Sequence, residues 1–305
     1  MPAMPIRTPR GSIRNGSGRD RAFAALMYAV VIVFAIVCLL PFWLIVVNSF
    51  NSEKSILLHG FQLFPRDYTL YAYRFLFAGS QVFRSYGISL LVTGLGSIAA
   101  LTVSAMFAYG LAHRKVRYRN VFGFLTYFTM LFGAGIVGFY ILIANWLHLK
   151  DTIWAMILPY LLNPFFVFVL VSYFRTLPYE LNESATVDGA NDLRIFFRIV
   201  CPISMPALAT VGLFYAVQYW NDFYLALLFV DDYKLQPLQF MIRQLMSNID
   251  AQRYLGAMNG GARVAVPTNG VQLATACVTI GPIVLCYPFL QKYYVRGMTI
   301  GAVKG

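Results

Sequence analysis

Six long stretches of this sequence contain no Asp, Glu, Lys or Arg, and they limit the fold more than any other feature. A helix needs about 20 apolar residues to cross the hydrocarbon core of a bilayer, and each stretch is at least that long. They cover residues 22–52, 85–113, 120–149, 152–174, 199–221 and 264–291. Alternating strand patterns are absent, which disfavours a transmembrane β-barrel. The sequence therefore predicts an all-α, polytopic membrane protein with six transmembrane helices.

Charge supports this class and orients the chain. Only 12% of the residues are charged, about half the share in a soluble globular protein. The net charge of +12 fits the positive-inside rule better than nucleic-acid binding, because fifteen of the 24 lysines and arginines fall on the segments that are inside if the amino terminus is cytoplasmic. We therefore expect the lipid bilayer as a partner, no nucleic acid, and both termini in the cytoplasm. The predicted parts are a cytoplasmic arm (1–21), a membrane domain (22–291) and a cytoplasmic tail (292–305).

The loop between the fourth and fifth stretches predicts two short helices along the cytoplasmic membrane surface. The first covers residues 179–188 and ends at Gly189, because glycine tolerates the left-handed conformation that follows a helix. The second is capped by Asn191 or Asp192 and ends at Pro202. Its predicted apolar face consists of residues at helical spacing, namely Leu193, Phe196, Phe197 and Val200. Two helices joined by a glycine turn can enter a groove of a partner.

The residue pattern of this loop, residues 178–204, resembles the EAA loop of ABC importer permeases. That loop reads E-A-A-x-x-x-G, followed by I-x-x-P. The residues that carry the resemblance, with their neighbours, are Glu183, Ser184, Ala185, Asp188, Gly189, Ala190, Ile199 and Pro202. Ser184 stands where the family usually has alanine, and serine is nearly as small. A solvated surface loop is the alternative interpretation of these charges, but it does not account for the combination at this spacing.

Two further segments resemble carbohydrate permeases of the maltose-importer type, in the branch associated with oligosaccharides. They are Tyr219-Trp220-Asn221-Asp222 and the tail from Tyr287 to Gly305. The resemblance implies a multi-pass subunit in the plasma (inner) membrane of a bacterium. It also implies two ATP-binding subunits that grip the 178–204 loop, a second permease subunit that forms a heterodimer with this one, and an extracytoplasmic sugar-binding protein. The chain has no G-x-x-x-x-G-K-[ST] motif, so ATP hydrolysis is expected on the partner chains.

Candidate substrate contacts lie in the fourth and fifth stretches. Sugars are bound by aromatic faces and hydrogen-bonding side chains, and this chemistry is offered by Tyr215, Gln218, Tyr219, Asp222 and Asn163. Tyr215, Tyr219 and Asp222 share one helix face, and an acid in a span usually faces a cavity or a partner. Alternatively, Asp222 caps a helix or lies at the outer interface, and the tyrosines form an aromatic belt.

A non-sugar solute is the other substrate class that the sequence leaves open. A polyamine or an amino acid is the nearest rival, but a cationic substrate would favour several acidic residues along the pathway, and Asp222 is the one acid among the candidate contacts. No His, Cys and carboxylate group has the spacing of a metal site or a catalytic triad. We therefore expect a transport subunit with no catalytic residues, no metal and no cofactor.

Overall fold

The computed structural model describes residues 18–133, 135–258 and 269–281, and this part of the chain is almost entirely helical, with one isolated bridge between Asn51 and Tyr68. The predicted all-α class is confirmed. The α-helices, in chain order, are α1 Gly18–Ser49, α2 Glu53–His59, α3 Tyr71–Phe77, α4 Gln81–Ala112, α5 Arg119–Leu131, α6 Gly135–Tyr140, α7 Ile153–Ile157, α8 Pro164–Phe174, α9 Glu180–Val187, α10 Asp192–Ile195, α11 Cys201–Ile203, α12 Met205–Asn221, α13 Tyr224–Phe229, α14 Leu238–Met258 and α15 (269–281).

Two helices of the described residues are long and apolar enough to cross a membrane alone: α4 and the part of α1 from Ala22 to Ser49. Three further predicted spans overlap bent helix pairs, each long and apolar enough to cross only if its two parts are taken as one span. They join α5 to α6 with its π-helical extension (120°), α7 to α8 (47°), and α10–α11 to α12 (87°). Most of the sixth predicted span, 264–291, lies outside the described residues. The count of six spans therefore stays a prediction.

The bend between α7 and α8 follows from two prolines in the fourth stretch. Proline cannot donate a backbone hydrogen bond and ends or kinks a helix. Pro159 lies in a short 3₁₀ turn after α7, and Pro164 opens α8, where its missing N–H costs nothing. The side chain of Asn163 caps α8 by accepting a hydrogen bond from the N–H of Phe165 (3.0 Å). The fourth stretch is therefore a broken helix.

The core lies around α4, which packs against both α12 and α8. From Gly96 to Ala108, every fourth residue of α4 is small and buried, namely Gly96, Ala100, Ser104 and Ala108. Small residues allow two helix backbones to approach closely inside a membrane. At Gly96 an added Cβ would lie 2.8 Å from the ring of Tyr219 on α12, so this position has no room for a side chain.

The turn after the third predicted span holds the segment that follows α13. The carboxylate of Asp151 accepts hydrogen bonds from the backbone N–H groups of Asp231 (2.6 Å) and Asp232 (2.8 Å). The ammonium of Lys150 lies 2.7 Å from the Asp231 carboxylate, and this hydrogen bond raises the pKa of Lys150. These contacts place the end of α13 beside the 147–152 turn, at the end of the molecule opposite the 178–204 loop.

Candidate coupling loop and substrate pathway

The first short helix of the 178–204 loop forms as predicted. Helix α9 begins at Glu180 and ends at Val187, one residue inside the predicted bounds at each end. Gly189 follows with a φ of +77°, the left-handed conformation that the sequence analysis predicts. Asn191, rather than Asp192, caps α10, and its side-chain oxygen accepts a hydrogen bond from the N–H of Arg194 (2.9 Å). Local signals are therefore sufficient to define the turn.

The second short helix differs from the prediction in its buried face. Phe196 is buried, but Leu193 and Phe197 are 57% and 53% exposed. Ile195, which the prediction omits, is 1% exposed. From Phe196 to Val200 the chain is a π-helix, which has more residues per turn than the assumed α-helix and so rotates the face at Phe197. The predicted face was wrong for two of its four residues.

The second short helix ends at Ile203, one residue beyond the predicted end at Pro202. The chain bends by 87° between Ile203 and Met205, and α12 begins there. The loop thus ends at a sharp corner, with Ser204 fully buried at the bend.

Helix α9 presents small residues to the protein and acids to solvent. Ala185 is 7% exposed, whereas Glu183, Ser184 and Asp188 are all exposed. At about 100° per residue, Glu183 projects about 160° away from Ala185. Ala190 and Ile199 are half-buried, beside the same core cluster. The outer face of α9 is therefore available to a partner, while its inner face is anchored.

Three residues that the sequence analysis did not identify hold α9 against the helix bundle. The hydroxyl of Tyr109, near the end of α4, donates a hydrogen bond to the side-chain oxygen of Asn182 (3.2 Å). The Tyr109 ring lies 5.3 Å from that of Phe196. The guanidinium of Arg114 lies 5.2 Å from the ring centroid of Tyr179, at the start of α9. These contacts span more than sixty positions in the chain, so no local sequence signal could have identified them.

This arrangement can transmit a rigid-body movement. Gly189 joins α9 to α10, and α10 continues through the π-helix and α11 to the corner before α12. Because α9 is also tied to α4 through Tyr109, a force on α9 reaches both α4 and α12. These are the two helices that pack most extensively against each other. Packed elements of this kind move as bodies, through hinge or shear displacements.

Two of the candidate pathway residues are buried inside the subunit. Tyr215 is 0% exposed, and its hydroxyl lies 2.6 Å from the hydroxyl of Ser104 and accepts a hydrogen bond from the N–H of Asn163 (3.0 Å). The Ser104 hydroxyl in turn donates to the carbonyl of Leu161 (3.3 Å). Inside a bilayer, backbone groups freed by a helix break must find protein partners. Ser104 and Tyr215 supply those partners at the break between α7 and α8.

Tyr219 is also buried, and its hydroxyl donates to the backbone carbonyl of Ile157 (2.9 Å). Asp222 lies just beyond α12, half-buried, where it accepts hydrogen bonds from the Tyr160 hydroxyl (3.0 Å) and from the N–H of Leu225 (3.2 Å). Its second bond stabilises the first turn of α13. The Asp222 carboxylate is therefore used in hydrogen bonds within the subunit, as the interpretation of Asp222 as a helix cap expects.

Gln218 and Asn163 are the candidates that combine amide chemistry with partial exposure. Both are half-buried, and the Asn163 amide nitrogen lies 3.5 Å from the Gln218 side-chain oxygen. They meet where the chain between α7 and α8 leaves helical conformation. Broken helices of this kind frame substrate sites in other transporter folds. The structure brings all five predicted residues to one seam between α12 and the α7–α8 break, and their role stays a prediction.

Replacement of Asp222 by alanine is expected to destabilise the protein. The change removes the acceptor of the Leu225 N–H and leaves the Tyr160 hydroxyl without this partner, a combined cost of about 1–3 kcal/mol. We expect a lower thermal midpoint in detergent, measured on purified protein. The matched control is Asn221→Ala, one position earlier and exposed. Equal midpoints for the two variants would contradict the capping role of Asp222.

Comparison with known proteins identifies the family. Residues 100–300 match the family of binding-protein-dependent transport system inner membrane components. The chain belongs to this family of permeases. The polygalacturonan/rhamnogalacturonan transport system permease protein YtcP of Bacillus subtilis is 37% identical to this permease over 288 residues, which cover 94% of this chain and 100% of YtcP. Protein LplC of the same organism is 40% identical over 271 residues, 88% of this chain and 90% of LplC.

A solved structure supports the same assignment. The crystal structure of a bacterial ABC transporter involved in the import of the acidic polysaccharide alginate contains a chain that is 28% identical to this permease, with a TM-score of 0.79. The match covers 92% of this permease and 99% of that chain. Permeases of this family are membrane components of ABC transporters, distinct from the ATPase, so the resemblance drawn from the 178–204 loop is confirmed at the level of the family.

Proposed function

We propose that this permease moves a carbohydrate, in the form of an oligosaccharide, into the cytoplasm of a bacterium. The observation that carries the proposal is the geometry of the 178–204 loop, in which an anchored helix exposes Glu183 and Asp188 and turns at Gly189. This loop is the surface on which an ATP-binding subunit docks. YtcP, a polygalacturonan/rhamnogalacturonan transport system permease protein, supports the carbohydrate class.

The proposed assembly has two ATP-binding subunits, a second permease subunit and an extracytoplasmic sugar-binding protein. This permease contributes six spans to it, with both termini in the cytoplasm. The direction follows from charge, because the 113–119 turn is rich in arginine and lysine and meets the 178–204 loop at one end of the bundle. The turn at Lys150 and Asp231 lies at the other end and faces the binding protein.

Coupling runs from the ATPase through α9 to the bundle. When two ATP-binding subunits close, they pull the exposed face of α9, which bears Glu183, Ser184 and Asp188. The inner face, centred on Ala185, carries this displacement to α4 and α12. Three residues at the turn and at the corner before α12 keep the orientation of α9 relative to α12 fixed, namely Ala190, Ile199 and Pro202. The two access states of the pathway then differ by a rigid-body displacement.

The sugar pathway follows the seam at the α7–α8 break. We assign direct contacts to Gln218 and Asn163, since both residues are only half-buried. Tyr215, Tyr219 and Asp222 act behind them by holding the broken helix in place. Amide and aromatic chemistry without several acidic side chains favours a sugar over a polyamine or an amino acid. Because Tyr215 and Tyr219 are buried inside the subunit, an aromatic belt at the membrane interface is the weaker interpretation of these two residues.

Uptake by the reconstituted importer tests the substrate class. The full assembly would be reconstituted in proteoliposomes together with its binding protein. Labelled neutral oligosaccharides, uronate oligosaccharides, a polyamine and an amino acid would then be supplied separately. We expect ATP-dependent uptake of an oligosaccharide, and a decrease of about tenfold in Gln218→Ala, if the lost contact is worth about 1.4 kcal/mol. The exposed neighbour Asn221→Ala serves as control. Accumulation of the polyamine or the amino acid, with no sugar transported, would contradict the proposal.

A further inference from the structure

A cleft of about 480 Å³ opens at the end of the bundle that carries the 178–204 loop. Its walls include the last residues of α4 and α8, the first residues of α5, and Tyr179 and Asn182 of the loop. Since α4 and α8 are spans or parts of spans, the cleft lies at the depth where the apolar helices end. The proposed transport mechanism uses the contacts of Tyr109 and Arg114 in its wall, but it assigns no ligand to the cleft.

The charge of the cleft is positive and concentrated. Arg114, Arg119 and Arg175 all line it, and none of the lining residues that the structure describes is a carboxylate. Within residues 18–133, 135–258 and 269–281, none of these three arginines forms an ion pair. Arginine matches a phosphate group with paired N–H donors and binds it more specifically than lysine does. Lys115 and Arg117, in the same turn, do not line the cleft.

The start of α5 adds to this positive field. Helix α5 has 13 residues and begins at Arg119, and its N-cap residue Tyr118 provides no side-chain hydrogen bond. Arg119 and Asn120, the first two residues of α5, line the cleft. Free N–H groups at a helix start attract anions, because they carry the positive end of the helix dipole. The guanidiniums and the helix start therefore favour the same ligand charge.

Part of the remaining lining is apolar, beside the polar side chains of His113 and Asn182, and this part favours one source of phosphate. Phe174, Leu177, Val200 and Ala112 form the apolar part of the wall. A soluble phosphate gains nothing from such a surface, whereas a phospholipid would place its glycerol and first acyl carbons there. Basic pockets between transmembrane helices on the cytoplasmic side are suited to lipid headgroups. We propose that the cleft binds the phosphate headgroup of an anionic phospholipid from the cytoplasmic leaflet.

A lipid in this position would contact the start of α9. Tyr179 directly precedes α9, and the Arg114 guanidinium lies 5.2 Å from its ring centroid. A phosphate bound by Arg114 would fix this arginine over the ring, and so hold the start of α9 against the bundle. Anionic lipid is therefore expected to strengthen coupling between ATP hydrolysis and uptake. This functional consequence rests on the proposed function, while lipid binding does not.

Lipid binding by the purified full importer provides the test. Phosphatidylglycerol and phosphatidylcholine would be titrated into the delipidated complex, and bound lipid counted by native mass spectrometry. The variant Arg114→Gln/Arg119→Gln removes two charges from the cleft. The matched control Lys115→Gln/Arg117→Gln removes two charges from the same turn outside it. We expect phosphatidylglycerol affinity to fall at least tenfold in the first variant and less than about threefold in the second.

Each outcome separates the sources of the ligand. Inorganic phosphate is titrated in parallel. If it binds with the same dependence on the cleft arginines, and the cleft shows no preference for lipid over phosphate, the cleft is a phosphate site for a soluble ligand and the lipid proposal is wrong. Equal loss of lipid in both double variants, or no loss in either, would overturn the proposal. So would unchanged lipid binding together with loss of the ATP-binding subunit from the cleft variant alone, since the cleft would then be a protein interface. Failure of uptake with intact lipid binding would contradict the proposed function alone.

Discussion

Replacement of Gly189 by valine is expected to reduce ATP-driven uptake by about tenfold while the permease still folds. Gly189 has a φ of +77°, and the left-handed conformation costs an L-residue about 1–2 kcal/mol, more for a β-branched side chain. No heavy atom lies within 4 Å of an added Cβ, so the strain arises in the backbone alone. The turn would relax and change the angle between α9 and α10. Uptake in proteoliposomes, normalised to the amount of permease, measures the loss.

Two controls separate strain from a general effect. Gly189→Asn should retain most of the uptake, because asparagine tolerates the left-handed conformation. Gly60→Val introduces backbone strain at another positive φ (+71°, with a ψ of −164°), a region essentially restricted to glycine, also in open space but after α2 at the other end of the bundle. It should lower stability without selectively uncoupling hydrolysis from uptake. If Gly189→Val transported at the wild-type rate, the turn would have no role in coupling.

Replacement of Gly96 by leucine is expected to prevent close packing of α4 and α12. An added Cβ would lie 2.8 Å from Cε1 and Cζ of the Tyr219 ring. That ring cannot easily move, since its hydroxyl donates to the Ile157 carbonyl and its edge contacts the Tyr160 ring. Overpacking of this kind costs about 1–3 kcal/mol and sometimes more. We expect a lower thermal midpoint and little assembled importer, measured by size-exclusion chromatography in detergent.

Gly94 offers the matched control on the same helix. It lies two positions earlier, and no heavy atom is within 4 Å of its added Cβ. Gly94→Leu introduces the same volume and the same hydrophobicity without a clash. The control should assemble as the wild type does. Normal assembly of Gly96→Leu would mean that α4 and α12 are farther apart than the structure places them.

The loop could be predicted from sequence because short-range signals determine it. A glycine after a helix and an asparagine before one act over three or four residues, and both act as expected at Gly189 and Asn191. The π-helix from Phe196 to Val200 could not be predicted in this way. It depends on how the bundle accepts Ile195 and Phe196, which are almost fully buried.

The pathway residues show a different limit. Helical spacing correctly placed Tyr215 and Tyr219 on one face, and both are buried there. Periodicity does not say whether such a face meets a substrate or another helix. The deciding contact of Tyr215 is with Ser104, which is 111 positions away in the chain. The hydrogen-bonding needs of the broken α7–α8 helix, which follow from tertiary packing, explain why the tyrosines are buried.

We propose that an ATP-binding subunit binds this permease at the exposed face of α9. Co-purification of the two chains tests this docking. The permease would be expressed in membranes with its partner subunits and isolated in detergent as wild type, as Glu183→Lys, and as Asp232→Lys. The last makes the same charge reversal at an exposed site at the opposite end of the bundle. We predict that the ATP-binding subunit accompanies the wild type and Asp232→Lys but is lost from Glu183→Lys. An ATP-binding subunit that stays with Glu183→Lys, or that accompanies none of the three, would contradict the account.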